Sequence, residues 1–361
     1  MLRKMYQSWS KEELLQKVLV LEEQLAKRTA SPPSQQVKKS KKNARPFDFE
    51  KYSKRFIALQ VAYVGLKYNG FADQIASDAN TQTVEGKIME ALLQCKLIKS
   101  RDPKECFFTR CGRTDTGVSG FGQIISLQVR SNLSASSLES NLNALCDETG
   151  KQELPYPLIL NGSLPVDIRI LAWAPVAASF NARFDCLYRK YKYFFHSHSL
   201  DIEAMKEASS FLIGTHDFRN FCKKDKSKPN QTFTREIMAA SIQPSMSCGQ
   251  WGLWEFEVKG SAFLYHQVRC MMGVLFLIGK GEKSVSFVKD LLDIERMKEK
   301  PSYAMASEIP LILHECAFEG LNLIPIEEHK KARIIEQFSE MWHENVLLAS
   351  VSRHFCHELE K

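Results

Sequence analysis

No apolar run in this 361-residue chain reaches the ~20 residues that a membrane-spanning helix needs, so no spanning segment is expected. The N-terminus has no apolar stretch of signal-peptide type, which predicts a chain without a secretory leader. Its ten cysteines are scattered with no Cys-x-x-Cys pair, so neither a zinc site nor a disulfide framework is expected, as suits a reducing compartment. His354-Phe355-Cys356-His357 groups metal-ligand residue types, but no second pair matches it, and no metal is expected there. No Gly-Lys-Ser/Thr phosphate loop and no dinucleotide fingerprint occur, which removes the commonest nucleotide-binding classes. The net charge of +7 is no general basicity either. Residues 1–55 carry 14 Lys/Arg against 6 Asp/Glu, which leaves the rest close to neutral. Only from Arg183 to Glu236 does a local surplus appear, 11 Lys/Arg against 7 Asp/Glu, as a phosphate-facing surface would have.

What is present is a soluble composition, 44% apolar and 25% charged, long enough for a sizeable core. Leu14, Val18, Leu21 and Leu25 make residues 1–29 an amphipathic helix with two heptads, enough for a short coiled coil or a docking face. A basic, Ser/Pro/Gln-rich linker spans 30–55, and its Lys38-Lys39-Ser40-Lys41-Lys42 string suits nuclear import or RNA contact. Beyond it, strands and helices interleave without regular β-α-β spacing, which predicts an α+β fold with largely antiparallel sheet. Phe56–Val64, Ile124–Val129, Leu164–Ala174, Arg189–Phe195 and 250–259 read as strands. Thr83 caps a helix that buries Val84, Ile88, Ala91, Leu92 and Cys95. Ser136 and Glu139 form a capping box for a helix carrying Leu138, Leu142 and Leu145. Residues 202–213 and 286–298 also read as helical, a long apolar helix runs from about Ser261 to Ile278, and an amphipathic one with Ile334, Ile335, Phe338, Met341 and Trp342 lies in the tail.

Three segments carry chemistry. Arg110-Cys111-Gly112-Arg113-Thr114-Asp115-Thr116-Gly117 sets an acidic residue on a glycine-rich turn between two strand-like runs, Cys106–Thr109 and Ile124–Val129. Cationic neighbours there would favour its charged form, so Asp115 is a candidate catalytic carboxylate. Arg269 lies in a helix that is apolar almost all round, and a buried guanidinium needs an acidic partner from elsewhere in the fold. Phe263, His266, Met272 and Leu275 share roughly one face of that helix. Third, Arg189-Lys190-Tyr191-Lys192-Tyr193 interleaves cations and aromatics at strand spacing, with Arg189, Tyr191 and Tyr193 on one face, as a base-stacking surface with phosphate contacts would.

In order and spacing these segments resemble the TruA-type tRNA pseudouridine synthases. Gly112-Arg113-Thr114-Asp115-x-Gly117-Val118 is similar to that family's active-site motif, and Phe180-x-Ala182-Arg183-Phe184 with Arg189-Lys190-Tyr191-Lys192-Tyr193 to its second. Tyr63-x-Gly65-x-x-Tyr68-x-Gly70-Phe71, His216-Asp217-Phe218-x-x-Phe221, Arg235-x-Ile237 and Ala262-Phe263-x-x-His266-x-Val268-Arg269 also fit, so the resemblance covers about residues 56–320. Leu164-Pro165-x-Asp167-Ile168-Arg169 and Phe184-Asp185-Cys186-Leu187-Tyr188 look like the eukaryotic branch acting at tRNA positions 38 and 39. Gly120 departs from the family's usual Ala, and Phe71 from the Trp of bacterial members.

The resemblance implies the pseudouridine synthase fold, two related halves with largely antiparallel sheets flanked by helices around a central cleft. The halves would span 56–175 and 176–322, with a helical tail at 323–361. It implies isomerisation of uridine to pseudouridine in the anticodon stem-loop, with Asp115 catalytic and Tyr191, Arg113 and Arg269 at the substrate. Tyr191 would stack on the base, Arg113 would help extrude the nucleotide, and Arg269 would keep Asp115 ionised. It also implies tRNA as partner, a homodimer, no metal and no cofactor, with residence in the nucleus, the cytoplasm or both. Two other readings compete: an inactive tRNA-binding protein on the same fold, and a coiled-coil adaptor working through its N-terminal helix and basic arm.

Overall fold

The computed structural model describes residues 47–73, 82–224, 231–245 and 252–361. The N-terminal helix and the basic string at 38–42 therefore lie outside the described residues. Ten strands form one sheet: β1 (Lys54–Tyr63), β2 (Thr109–Arg110), β3 (Ser119–Arg130), β4 (Ile168–Pro175), β5 (Cys186–His196), β6 (Gly214–Asp217), β7 (Thr234–Pro244), β8 (Leu253–Gly260), β9 (Leu311–Phe318) and β10 (Ile324–Pro325). Their order is β10-β4-β1-β3-β9-β5-β8-β7-β6, with β2 paired to β3. Every pairing is antiparallel except β3 with β9, which run parallel at Ser119↔Ile312 and Gly120↔Leu313. The expected α+β class with largely antiparallel sheet is what forms.

Among the described residues, seven α-helices accompany the sheet: α1 (Val84–Gln94), α2 (Ala135–Ser140), α3 (Tyr156–Asn161), α4 (Ile202–Ser210), α5 (Gln267–Gly279), α6 (Phe287–Leu292) and α7 (Glu328–Leu359). The core falls into two main clusters because each set of strands is covered by its own helices. Ile57, Leu59 and Val61 of β1 pack with Ile88 and Leu92 of α1 and with Tyr156 and Leu160 of α3. Phe256 and Val258 of β8 pack with Met205 of α4, Met272 and Leu275 of α5, and Leu291 of α6. Alternate strand residues supply one apolar face, and i, i+4 helix positions supply the other.

Thr83 caps α1 as expected, its hydroxyl accepting from the Gly86 N–H. Several expectations need correcting. Cys106–Phe108 is a turn, with Phe107 left-handed at φ 52° and exposed, so the strand there is only Thr109–Arg110. α2 is capped by Ser134 rather than Ser136 and stops at Ser140, leaving Leu142 and Leu145 exposed beyond it. The buried Arg55 guanidinium explains that early stop: it takes the carbonyls of Leu142 (2.6 Å) and Ala144 (3.0 Å), which are free to accept because the helix has ended. α6 is confined to Phe287–Leu292. The apolar helix starts at Gln267, six residues later than its composition suggests, because His266 is left-handed at φ 63°.

Candidate active site

Asp115 sits where the two sets of strands meet, in the loop between β2 and β3. Its carbonyl accepts from the Val118 N–H (3.2 Å), closing a four-residue turn whose third position is Gly117 at φ 79°. A turn of this kind needs a positive φ there, which glycine adopts without strain. Gly117 is also required by its neighbour, since a Cβ would lie 2.8 Å from Cγ of Glu308. The Gly117 N–H donates to the Tyr68 carbonyl, and Thr114 is held on both sides. Its carbonyl accepts from the Phe71 N–H, and its hydroxyl bonds the buried Tyr63 hydroxyl at 2.8 Å. Gly120, the departure from the family pattern, lets the Tyr63 ring approach: a Cβ at 120 would stand 2.5 Å from that ring.

From across the seam, the first turn of α5 delivers two side chains to the Asp115 carboxylate. Nη1 of Arg269 lies 3.7 Å and Nε2 of His266 3.3 Å from Oδ2. The acidic partner expected for Arg269 thus exists, but Asp115 shares it. The shorter ion pair is with Glu308, at 2.7 Å, and Arg269 Nε donates to the Ala306 carbonyl at 2.9 Å. Nothing in the sequence pattern marked Glu308, because it stands in an irregular segment just before β9. Burial pushes the Asp115 carboxyl above the usual carboxylate range; Arg269 opposes this without overcoming it, and Glu308 adds to it. Arg269 thus favours the charged form, as expected of a cationic neighbour, while desolvation is the larger effect.

His266 was missed as a functional group because it read as one more position on a helical face. It lies instead on the αL residue before the helix, and its side chain is pushed down to about 4 by burial and then by Arg269, Lys223 and Lys300. A neutral imidazole meets a carboxylate as a donor, so Nε2–H faces Asp115, while the buried Nδ1 has no partner among the described residues. On its other side His266 lines an open cavity of about 440 Å³ with Arg219, Lys223, Lys224 and Lys300.

Tyr191 is half-buried on β5, between Val258 of β8 and Leu313 of β9, with its ring edge-on to Phe263 at 5.0 Å. Leu313 in turn lies beneath Gly112 of the catalytic loop. The Tyr191 hydroxyl makes no hydrogen bond among the described residues, and burial keeps it protonated far above the usual phenol range. Its expected companions behave differently. Tyr193 is a core residue packed on Phe276. Arg189 binds the carbonyls of Ser261 (2.7 Å), Cys111 (3.0 Å) and Arg183 (2.7 Å), a brace across the seam rather than a phosphate ligand. Arg113, next to Thr114, is exposed and forms no ion pair among the described residues. Asp115, Arg269 and Tyr191 are thus brought to one seam, and Arg113 to its open side.

A family model described as tRNA pseudouridine synthase matches residues 208–319. The tRNA pseudouridine(38/39) synthase of Mus musculus is 45% identical over 312 residues, 84% of this chain and 63% of that protein. That of Saccharomyces cerevisiae is 42% identical over 331 residues, 88% of this chain and 72% of that one. The tRNA pseudouridine synthase A of Methanosarcina barkeri is 32% identical over 280 residues, 78% of this chain and 87% of that one. The alignment takes in less than two thirds of the mouse protein's own length, but more than two thirds of the yeast and archaeal ones. On sequence motifs, fold and relatives together, the chain belongs to the tRNA pseudouridine synthase family.

Proposed function

We propose that this protein isomerises uridine to pseudouridine in the anticodon stem-loop of tRNA, at positions 38 and 39. The observation that carries the reading is Asp115: a half-buried carboxylate on a tight turn, met by Arg269 and His266, with part of its side chain still open to the outside. The reaction breaks the N-glycosidic bond, turns the detached uracil and joins C5 to C1′. A carboxylate can attack C1′, remove the C2′ proton, or add to C6 of the uracil, and each route uses its ionised form. C1′ and C5 are out of reach in a stacked stem, so the nucleotide must be flipped out. The exposed Arg113 beside the turn fits the helix-side contact that fills the space left behind. Tyr191 presents an unengaged hydroxyl and an aromatic face to the extruded base. Arg219, Lys223, Lys224 and Lys300 around the adjoining cavity suit the phosphates flanking it.

An inactive tRNA-binding protein would have no use for a carboxylate that burial makes costly to ionise. The test is conversion of uridine in undermodified tRNA carrying U38 or U39. Wild-type protein is expected to form pseudouridine there, and Asp115→Asn to bind the tRNA without converting it. Equal conversion by the mutant would sink the reading. Assembly as a homodimer holding tRNA is part of the same proposal, and a monomer by solution scattering at micromolar concentration would overturn that part.

A further inference from the structure

The cysteines that look scattered along the chain do not stay scattered in the fold. Cys111, on the loop four residues before Asp115, Cys186 at the start of β5, and Cys316 on β9 converge, with all three sulphur atoms within 4.8 Å of one another. Cys111 and Cys186 are buried residues and Cys316 is half-buried. Ala58, Ile124, Val176 and Ala182 surround them, with Phe180 and Phe318 packed against that shell. Among the described residues, the charged side chain set against the cluster is Arg189, whose Nη2 donates to the Cys111 carbonyl.

We propose that Cys111, Cys186 and Cys316 form a three-thiolate site for a thiophilic divalent cation of the Zn²⁺ class. An ion bonded to sulphur at about 2.3 Å needs its sulphurs about 3.8–4.0 Å apart, so the cluster closes with sulphur movements of about 1 Å or less. Three sulphur donors select soft or borderline ions over Mg²⁺ or Ca²⁺. As three metal–sulphur bonds form, the three thiol protons pass to solvent. Three thiolates and a divalent ion leave one negative charge, which Arg189 offsets in a pocket that would otherwise penalise it. With three protein ligands the fourth position is left for water or an exogenous ligand. The ion would tie the segment leading to Asp115 to β5, which carries Tyr191, and to its neighbour β9, and so couple metal loading to the seam that builds the active site.

The experiment uses the full chain, purified under reducing conditions, stripped with chelator and titrated with Co²⁺. Thiolate-to-cobalt charge-transfer absorption is expected to rise to one ion per chain and to disappear on adding Zn²⁺. It should be lost in Cys111→Ser, Cys186→Ser and Cys316→Ser but kept in Cys95→Ser, with circular dichroism reporting the fold of each. A folded wild-type protein giving no such band overturns the proposal, whatever the variants do. So does a band indifferent to the three substitutions, or a disulfide between two of these cysteines in unreduced protein that takes up no metal.

Discussion

Burial raises the proton affinity of Asp115, Arg269 lowers it, and burial is the larger effect. The folded state therefore holds this proton more tightly than the unfolded chain does. Its contribution to stability is present at low pH and is lost as pH rises through the raised folded value. Asp115→Asn removes the cost of the buried charge, so its thermal midpoint at neutral pH should lie above that of wild type. The gap should close as acid protonates the native carboxyl. The same substitution should lower turnover by about a hundredfold or more. A mutant less stable than wild type at pH 7 would show that Arg269 and His266, not desolvation, dominate the site. In wild type, kcat/KM should fall on acidification at a pH above the range of an ordinary exposed carboxylate. His266 makes a separate prediction. Being neutral, it faces the Asp115 carboxylate with Nε2 at 3.3 Å, and losing that contact in His266→Ala should cost about tenfold in kcat. His266→Asn, which tolerates the left-handed backbone and keeps a donor, should recover part of that loss. Equal kinetics for the two variants would remove the orienting role.

Between elements, the tie that sequence could not show is the one between β1 and the loops around α2. Arg55 and Glu153 pair at 2.7 Å with both side chains almost fully buried. Burial pulls the Glu153 carboxyl upward, but the Asn132 N–H, the Ser131 hydroxyl and Arg55 together outweigh it and leave the group below its usual value. A lowered folded value gives stability that is present above the unfolded value and lost as pH falls through the folded one. Glu153→Gln strands the Arg55 charge and should cost roughly 3–5 kcal/mol at pH 7 in denaturant unfolding, with a smaller difference in acid. A loss that does not change with pH would mean packing, not charge, is what the pair supplies. This network also explains what sequence made legible. β1, α1 and β5 follow local rules, a two-residue alternation or a capped apolar stripe, and were readable. α2 was misread because Arg55, 87 and 89 residues before Leu142 and Ala144, claims the carbonyls that a longer helix would have used. α5 starts later than its composition suggests: apolar residues span Ser261–Ile278, but the left-handed backbone at His266 puts the first helical residue at Gln267. Asp115, Tyr191, Arg113 and Arg269 each stand in a short local motif, which is why sequence singles them out as candidates. Glu308 and the meeting of Cys111, Cys186 and Cys316 were not, since only the register of β9 against β5 and β3 brings them in.

At the scale of the whole molecule, the candidate catalytic groups come from two sets of strands. The Asp115 loop runs into β3 and is held at Thr114 by Tyr63 of the β1–β3 core, whereas Arg269, His266 and Tyr191 come with α5 and β5 of the other core. The strands joining them, β3 and β9, share only the register Ser119↔Ile312 and Gly120↔Leu313. Side chains reinforce that short parallel seam: Arg189 reaches the Cys111 carbonyl, and Arg269 reaches Asp115. Close backbone approach does the rest. A Cβ at Gly122 would lie 2.5 Å from the His314 carbonyl oxygen and 2.8 Å from Cα of Glu315, and neither is the end of a flexible side chain. Gly122→Val must therefore push β3 and β9 apart. Overpacking of this kind costs about 1–3 kcal/mol, a loss that denaturant unfolding would read. The kinetic penalty should exceed what that loss alone produces, because a displacement near 1 Å between reacting groups can cost about a hundredfold in rate. Gly252→Ala gives the matched control, since a Cβ there meets nothing within 4 Å although its φ of 61° still imposes strain. That variant should lose stability and keep its turnover per folded molecule. If Gly122→Val also kept full turnover per folded molecule, the seam would be a structural joint and not the element that sets catalytic geometry.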